Sequence, residues 1–200
     1  MASFIDPQVI IRHNFKMSDH DIKRDFAALI DVQSYWTKKN PATTLKILDN
    51  IDALREKYRI LWIYAQEAGT GSEPLKPFHP VQSGDMQLKD IFSLFNATSR
   101  LMDAPVIRPA PEDWIIGKET TDGFSNPLLE KFLKGQNSTQ LYVAGFMTSY
   151  CVYDTALSGV KAGLPVTLLP DLSADESDGN EFSLDRFTAA GIKTFRTPGF

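Results

Sequence analysis

The chain has 200 residues, 42% of them hydrophobic, which suits one domain able to bury roughly 70% of the surface its unfolded form exposes. Lys and Arg total 21 against 25 Asp and Glu, a formal charge of -4 with no long basic block, which argues against a nucleic-acid partner. The start "MASFIDPQVIIRHNFK" has no basic segment leading into an apolar one, and no stretch comes near the roughly 18 unbroken apolar residues of a membrane span; a soluble, cytoplasmic protein with no membrane partner is expected. The single cysteine, Cys151, forms no internal disulfide, in keeping with a reducing compartment.

In chain order, "FAALIDV" (26–32) is a short apolar run ending in an acid, as in a strand buried on both faces of a parallel sheet, with Asp31 at its C-terminal end. "NPATTLKILDNIDALREKYR" (40–59) places Asn40 where an N-cap belongs and Pro41 in the first turn, then spaces Leu45, Leu48, Ile51 and Leu54 by three, which predicts an amphipathic helix. "ILWIYAQ" (60–66) is a strand, and residues 67–112, rich in Gly, Pro and Ser, carry only a weak helical signal around "LKDIFSLF" (88–95). "DWIIGK" (113–118) is a strand ending in Lys118, and "PLLEKFLKG" (127–135) a helix closed by Gly135. "QLYVAGF" (140–146) and "PVTLLPD" (165–171) are strands around the helix "SYCVYDTALSGVKAG" (149–163), and a helix in 181–191 and a strand in 192–197 complete the series. This alternation predicts a single three-layer α/β/α domain over 1–200, Rossmann-like, with a six-stranded parallel sheet.

In such sheets the C-terminal ends of the strands line the ligand crevice. Asp31, Lys118 and Cys151 fall at three of those ends, 87 and 33 residues apart in sequence. A thiol in the first turn of a helix feels the positive end of the peptide dipoles, and a nearby ammonium favours its thiolate further, so a reactive thiolate near neutrality is expected. An adjacent acid can take the thiol proton and return it to a leaving amine. Read singly, each residue has a bland alternative: a buried small hydrophobe for Cys151, a solvated surface lysine for Lys118, a turn cap for Asp31.

Four segments resemble the isochorismatase-like cysteine hydrolases: "LIDVQSYW", "GKETTDGF", "VAGFMTSYCVYDTALSGVKAG" and "LLPDLSADE", together spanning residues 26–175. The resemblance implies a fold of that family and a catalytic triad of Asp31 as general base and acid, Lys118 as charge partner and Cys151 as nucleophile. It also implies a cis peptide at Phe146–Met147 and an oxyanion hole formed by the backbone N–H groups of Met147 and Cys151. Trp36 and Tyr150 are implied as pocket walls, with Phe124 and Gln66 as further substrate-binding residues.

Nicotinamidases of the family carry metal-binding histidines after the second strand. Here "IYAQEAGTGSE" stands in that place, and His13, His20 and His79 do not have the spacing, so no metal and no cofactor are expected. Retention of the cysteine points to acyl transfer from a small amide, ureido or carbamoyl substrate through a thioester. The alternatives are an isochorismatase-type vinyl-ether hydrolase, with Asp31 as acid, and a catalytically idle binding or assembly module. Members of the family pair or form tetramers, so a homo-oligomer, dimer or tetramer, is expected.

Overall fold

The computed structural model describes residues 25–65, 80–85, 109–178 and 182–196. The first strand, β1 (Phe26–Ile30), is buried along its whole length, because apolar side chains leave it on both sides and each side is covered. It is followed by a short helix, α1 (Ser34–Lys39), then by α2 (Pro41–Lys57) and β2 (Arg59–Ala65). After β3 (Val81–Gln82) and β4 (Trp114–Lys118) come α3 (Pro127–Gly135), β5 (Leu141–Phe146), a π-helical turn (Thr148–Val152) and α4 (Tyr153–Lys161). The chain ends in β6 (Val166–Ala174), α5 (Leu184–Ala189) and β7 (Lys193–Thr194).

Among the described residues the sheet has seven strands in the order β3-β4-β2-β1-β5-β6-β7. Six run parallel, as the alternation predicts; β3, within the stretch that shows no strand pattern, adds a two-residue antiparallel edge against β4. One face carries Ala27, Leu29, Trp62 and Tyr64 beneath Ile47, Ile51 and Leu54 of α2. The other carries Phe26, Ala28, Leu61 and Ile63 beneath Leu129 and Leu133 of α3, Ala156 of α4 and Phe187 of α5. Helices on both faces make the three-layer α/β/α arrangement, and among the described residues no helix is long and apolar enough to cross a membrane.

Several boundaries differ from the sequence reading for identifiable reasons. The α2 N-terminus is not capped by the Asn40 side chain, which donates instead to the Trp36 carbonyl at 3.1 Å. A carboxylate from the far end of the chain does that work: Asp178 accepts from the Ala42 and Thr43 amides at 2.6 and 3.1 Å and from the Thr43 hydroxyl at 2.7 Å. Gly135 is the last helical residue of α3, and the left-handed position beyond it is taken by Asn137 (φ 53°). β6 runs past Asp171 to Ala174 because it bulges: Val143 pairs with Leu168 but Gly145 with Ser173, so β6 spends three residues more than β5 in that interval. Pro170, which has no N–H to donate, lies inside the bulge. The helical signal at 88–95 lies outside the described residues.

One close approach aligns the strands that carry the site. Gly145, at φ +115°, pairs with Ile30, and a Cβ there would lie 2.1 Å from the Ile30 carbonyl oxygen. Both the backbone region and the space exclude any side chain. Gly145→Ala is therefore expected to prevent native β1–β5 pairing, seen as loss of soluble folded protein on expression. Asp178→Ala, which removes only the α2 cap, is expected to lower unfolding free energy by about 1 kcal/mol in urea titration.

Candidate active site

The strand order reverses at β1: the chain proceeds to β2 on one side and later returns to β5 on the other. The C-terminal ends of β1 and β5 therefore border a switch point, the usual place for a ligand crevice in an open parallel sheet. Asp31 directly follows β1, and its backbone N–H donates to the Ile63 carbonyl at 2.7 Å, extending the β1–β2 ladder by one bond. Its φ is +50°, a left-handed conformation that aspartate tolerates better than most residues.

Lys118 ends β4, two strands away from β1, a lateral separation of roughly 10 Å at the normal strand spacing. Only a long side chain meeting a second side chain can close that gap. Lys118 Nζ reaches Asp31 Oδ2 at 2.8 Å, with the two side chains 1% and 2% exposed. The ammonium also donates to the Thr121 carbonyl at 3.3 Å. Cys151, on the π-helical turn after β5, is partly buried, and its thiol lies close enough for both the Asp31 and the Lys118 charge to act on it. Three residues separated widely in sequence thus meet at one end of the sheet.

The electrostatic direction at the sulfur is opposite to the thiolate expected from sequence. Burial, and then the Asp31 carboxylate, push the Cys151 thiol up from 9.0 to about 11, against the lowering influence of Lys118. Helix position and one ammonium do not outweigh loss of water and a neighbouring carboxylate. At neutral pH the thiol keeps its proton.

The turn before Cys151 has a cis peptide at Phe146–Met147, where the resemblance placed one. The Met147 carbonyl accepts from the amides of Tyr150 and Val152 at 3.2 and 3.1 Å, which closes the turn that holds Met147 and Cys151 together. Ser149, between them, is fixed from outside: its amide and hydroxyl donate to the Asp175 carboxylate at 2.7 and 2.6 Å. Its carbonyl accepts from Arg186 at 2.9 Å. Tyr150, next to the sulfur in sequence, is 57% exposed.

The loop after Lys118 is tied to α4, the helix that continues from the cysteine turn. The Thr121 hydroxyl donates to Asp154 Oδ2 at 2.6 Å, the Gly123 amide to Thr155 Oγ1 at 2.8 Å, and the Ser158 hydroxyl to Asp122 Oδ2 at 2.6 Å. A Cβ on Gly123 would meet Thr155 Cγ2 at 3.0 Å, so the loop approaches α4 as closely as glycine permits. The Thr-Ala pair of the cysteine segment now has a physical meaning: Thr155 accepts from the loop and Ala156 lies fully buried against the sheet.

Trp36 is on α1, just beyond Asp31, partly buried against the α2-side core, with Tyr35 edge-on to its ring at 4.8 Å. Phe124 is partly buried and packs against the opposite core, as Cys151 also does, and lies 3.5 Å from where a Cβ on Gly159 of α4 would be. Gln66, His13, His20 and His79 lie outside the described residues, and among the described residues no three of His, Cys, Asp and Glu are grouped to hold a metal ion. Ser149, Thr121, Asp154, Asp175 and Asp178 were not picked out from the sequence; each is a common polar residue whose partner is remote in the chain or supplied by a loop.

The isochorismatase domain matches residues 28–197. An uncharacterized isochorismatase family protein of Bacillus subtilis, YrdC, is 26% identical over 149 residues, covering 73% of this chain and 71% of that protein. Among solved structures, the pyrazinamidase of Pyrococcus horikoshii in complex with zinc superposes with a TM-score of 0.61 at 22% identity, covering 87% of this chain and 99% of that one. The N-carbamoylsarcosine amidase of Thermoplasma acidophilum gives a TM-score of 0.61 at 18% identity, covering 90% and 99%. With the domain match spanning both halves of the sheet and its switch point, the chain belongs to the isochorismatase family of the isochorismatase-like hydrolases.

Proposed function

We propose that the protein is a cysteine hydrolase that cleaves a small amide, ureido or carbamoyl substrate through a thioester. The observation that carries this reading is the buried Asp31–Lys118 pair at 2.8 Å, with the sole cysteine's thiol under the influence of both charges. Two structural relatives, a pyrazinamidase and an N-carbamoylsarcosine amidase, bear names of the same substrate class.

In the proposed cycle, the Cys151 sulfur attacks the carbonyl carbon as its proton passes to Asp31, so a free thiolate need not accumulate. The oxyanion is received by the N–H groups of Met147 and Cys151, a donor arrangement commonly worth about 3 kcal/mol of barrier per bond. Asp31 then gives its proton to the departing nitrogen, and the C–N bond breaks to leave a thioester. Water, losing a proton to Asp31, attacks the thioester; the acid leaves and the sulfur recovers its proton. Lys118, paired with Asp31 at 2.8 Å, balances the negative charge that moves between carboxylate and sulfur. Trp36 and Tyr150 border the pocket.

Cys151→Ala is expected to abolish release of ammonia or amine from a panel of primary amides, ureides and carbamoyl amino acids, with an unchanged circular dichroism spectrum. Full turnover in that variant would overturn the nucleophile role and favour a vinyl-ether reaction with Asp31 as acid. Asp31→Asn separates base from charge partner. It is expected to reduce turnover by about 10²–10⁴-fold, yet to speed iodoacetamide labelling of Cys151 near neutral pH, since the carboxylate that holds the thiol up is gone while the ammonium stays.

The raised thiol value also has a stability sign. Between 9.0 and about 11 the folded chain retains a proton that the unfolded chain has lost, so this group's contribution is complete below pH 9 and declines as pH rises towards 11. Chemical denaturation across that range should show the decline in the wild type and a shallower slope in Cys151→Ala.

A further inference from the structure

The ammonium of Lys118 has three N–H groups to place. One goes to Asp31 Oδ2 at 2.8 Å and one to the Thr121 carbonyl at 3.3 Å, and the charge so placed acts on the Cys151 thiol. Asp31 is anchored by the β1–β2 ladder and Cys151 by the turn that closes on Met147. Thr121 belongs instead to an exposed stretch without regular structure, so something else must fix its carbonyl. Its hydroxyl donates to Asp154 Oδ2 at 2.6 Å, and Asp154 lies in the first turn of α4, three residues beyond Cys151. The carbonyl that orients the ammonium is thereby fastened to the helix that carries the sulfur. The Gly123–Thr155 and Asp122–Ser158 bonds hold the rest of the loop but do not bear on the residue that touches Lys118.

Resting on the reading of Lys118 as charge partner of a nucleophilic Cys151, we propose that Thr121 and Asp154 form a positioning tether that holds the Lys118 ammonium against the sulfur. Neither residue touches the reacting atoms. The tether makes the distance between ammonium and thiol a property of one rigid unit, α4 with its attached loop, and leaves it independent of motion elsewhere at the sheet edge. A hydroxyl at 121 and an acceptor at 154 are what the tether requires; the charge of Asp154 is not.

Because the chain has one cysteine, the rate of iodoacetamide labelling against pH on the full-length protein reads the thiol directly and needs no substrate. Thr121→Val and Asp154→Leu are each expected to move the labelling midpoint upward and to slow labelling at pH 8.5 by about threefold or more, as the ammonium loses its fixed place. Removal of the Asp154 charge alone would move the midpoint downward, so an upward movement in Asp154→Leu reports the lost tether. Thr121→Ser retains donor and acceptor and should keep the wild-type profile, and Asp154→Asn, which keeps an acceptor, should show only the downward movement of the lost charge. Should one disrupted variant fail to fold, the other carries the same test. The tether is overturned if Thr121→Val superposes on the wild type while Lys118→Met moves the midpoint up. A profile unmoved even by Lys118→Met would instead remove the underlying role of the ammonium, and the tether with it.

Discussion

Lys118 and Asp31 face each other at 2.8 Å with almost no access to water, and the rest of the site is arranged around that pair. Bringing two charges into a protein interior is costly, and their mutual attraction offsets the cost only when geometry is good and the remaining donors and lone pairs are satisfied. The Thr121 carbonyl accepts one of the ammonium's remaining donors. The pair is a poor stabiliser by this reckoning, and a well-packed apolar pair of similar size would serve the fold as well. Its presence at the mouth of the sheet is better explained by chemistry than by stability.

The pair can form only because of the sheet's order. β2 lies between β1 and β4, so the ammonium must pass over the end of β2 to reach a carboxylate displaced from its strand by a left-handed residue. On the other side, Gly145 lets β5 run against Ile30 closely enough to deliver the cysteine turn to the same place. Each contributing strand end is then held by polar contacts that cross between layers: Asp175 and Arg186 on Ser149, and α4 on the loop after Lys118. At the opposite end of the strands a comparable device appears, where Asp25 accepts from both amide and hydroxyl of Thr139 and from the Gln140 amide, joining the starts of β1 and β5.

Legibility in the sequence followed the locality of the signal. β1, β2, β4 and β5 are continuous apolar runs, and "PLLEKFLKG" reads as the helix α3, so their positions are readable to within a residue or two. β3 has two residues and no pattern, and the bulge in β6 hides the strand's true end behind Pro170 and Asp171. The meeting of Asp31, Lys118 and Cys151 was foreseeable because parallel topology collects strand ends. The residues that hold them were not, since Asp178 caps a helix 135 positions earlier and Asp154 serves a loop 33 positions before it.

The thiol's resting state decides how the three groups can share work. Had the ammonium dominated, the sulfur would wait as thiolate and Asp31 would have no proton to take in the first step. With burial and the carboxylate dominant, the sulfur stays protonated, and under the proposed mechanism its proton passes to the Asp31 carboxylate, paired with Lys118, as attack begins. The same carboxyl, once protonated, would then release the leaving nitrogen. A carboxylate paired with one lysine beside a protonated thiol thus suits both proton transfers of the proposed acyl exchange, and histidine is not required for either.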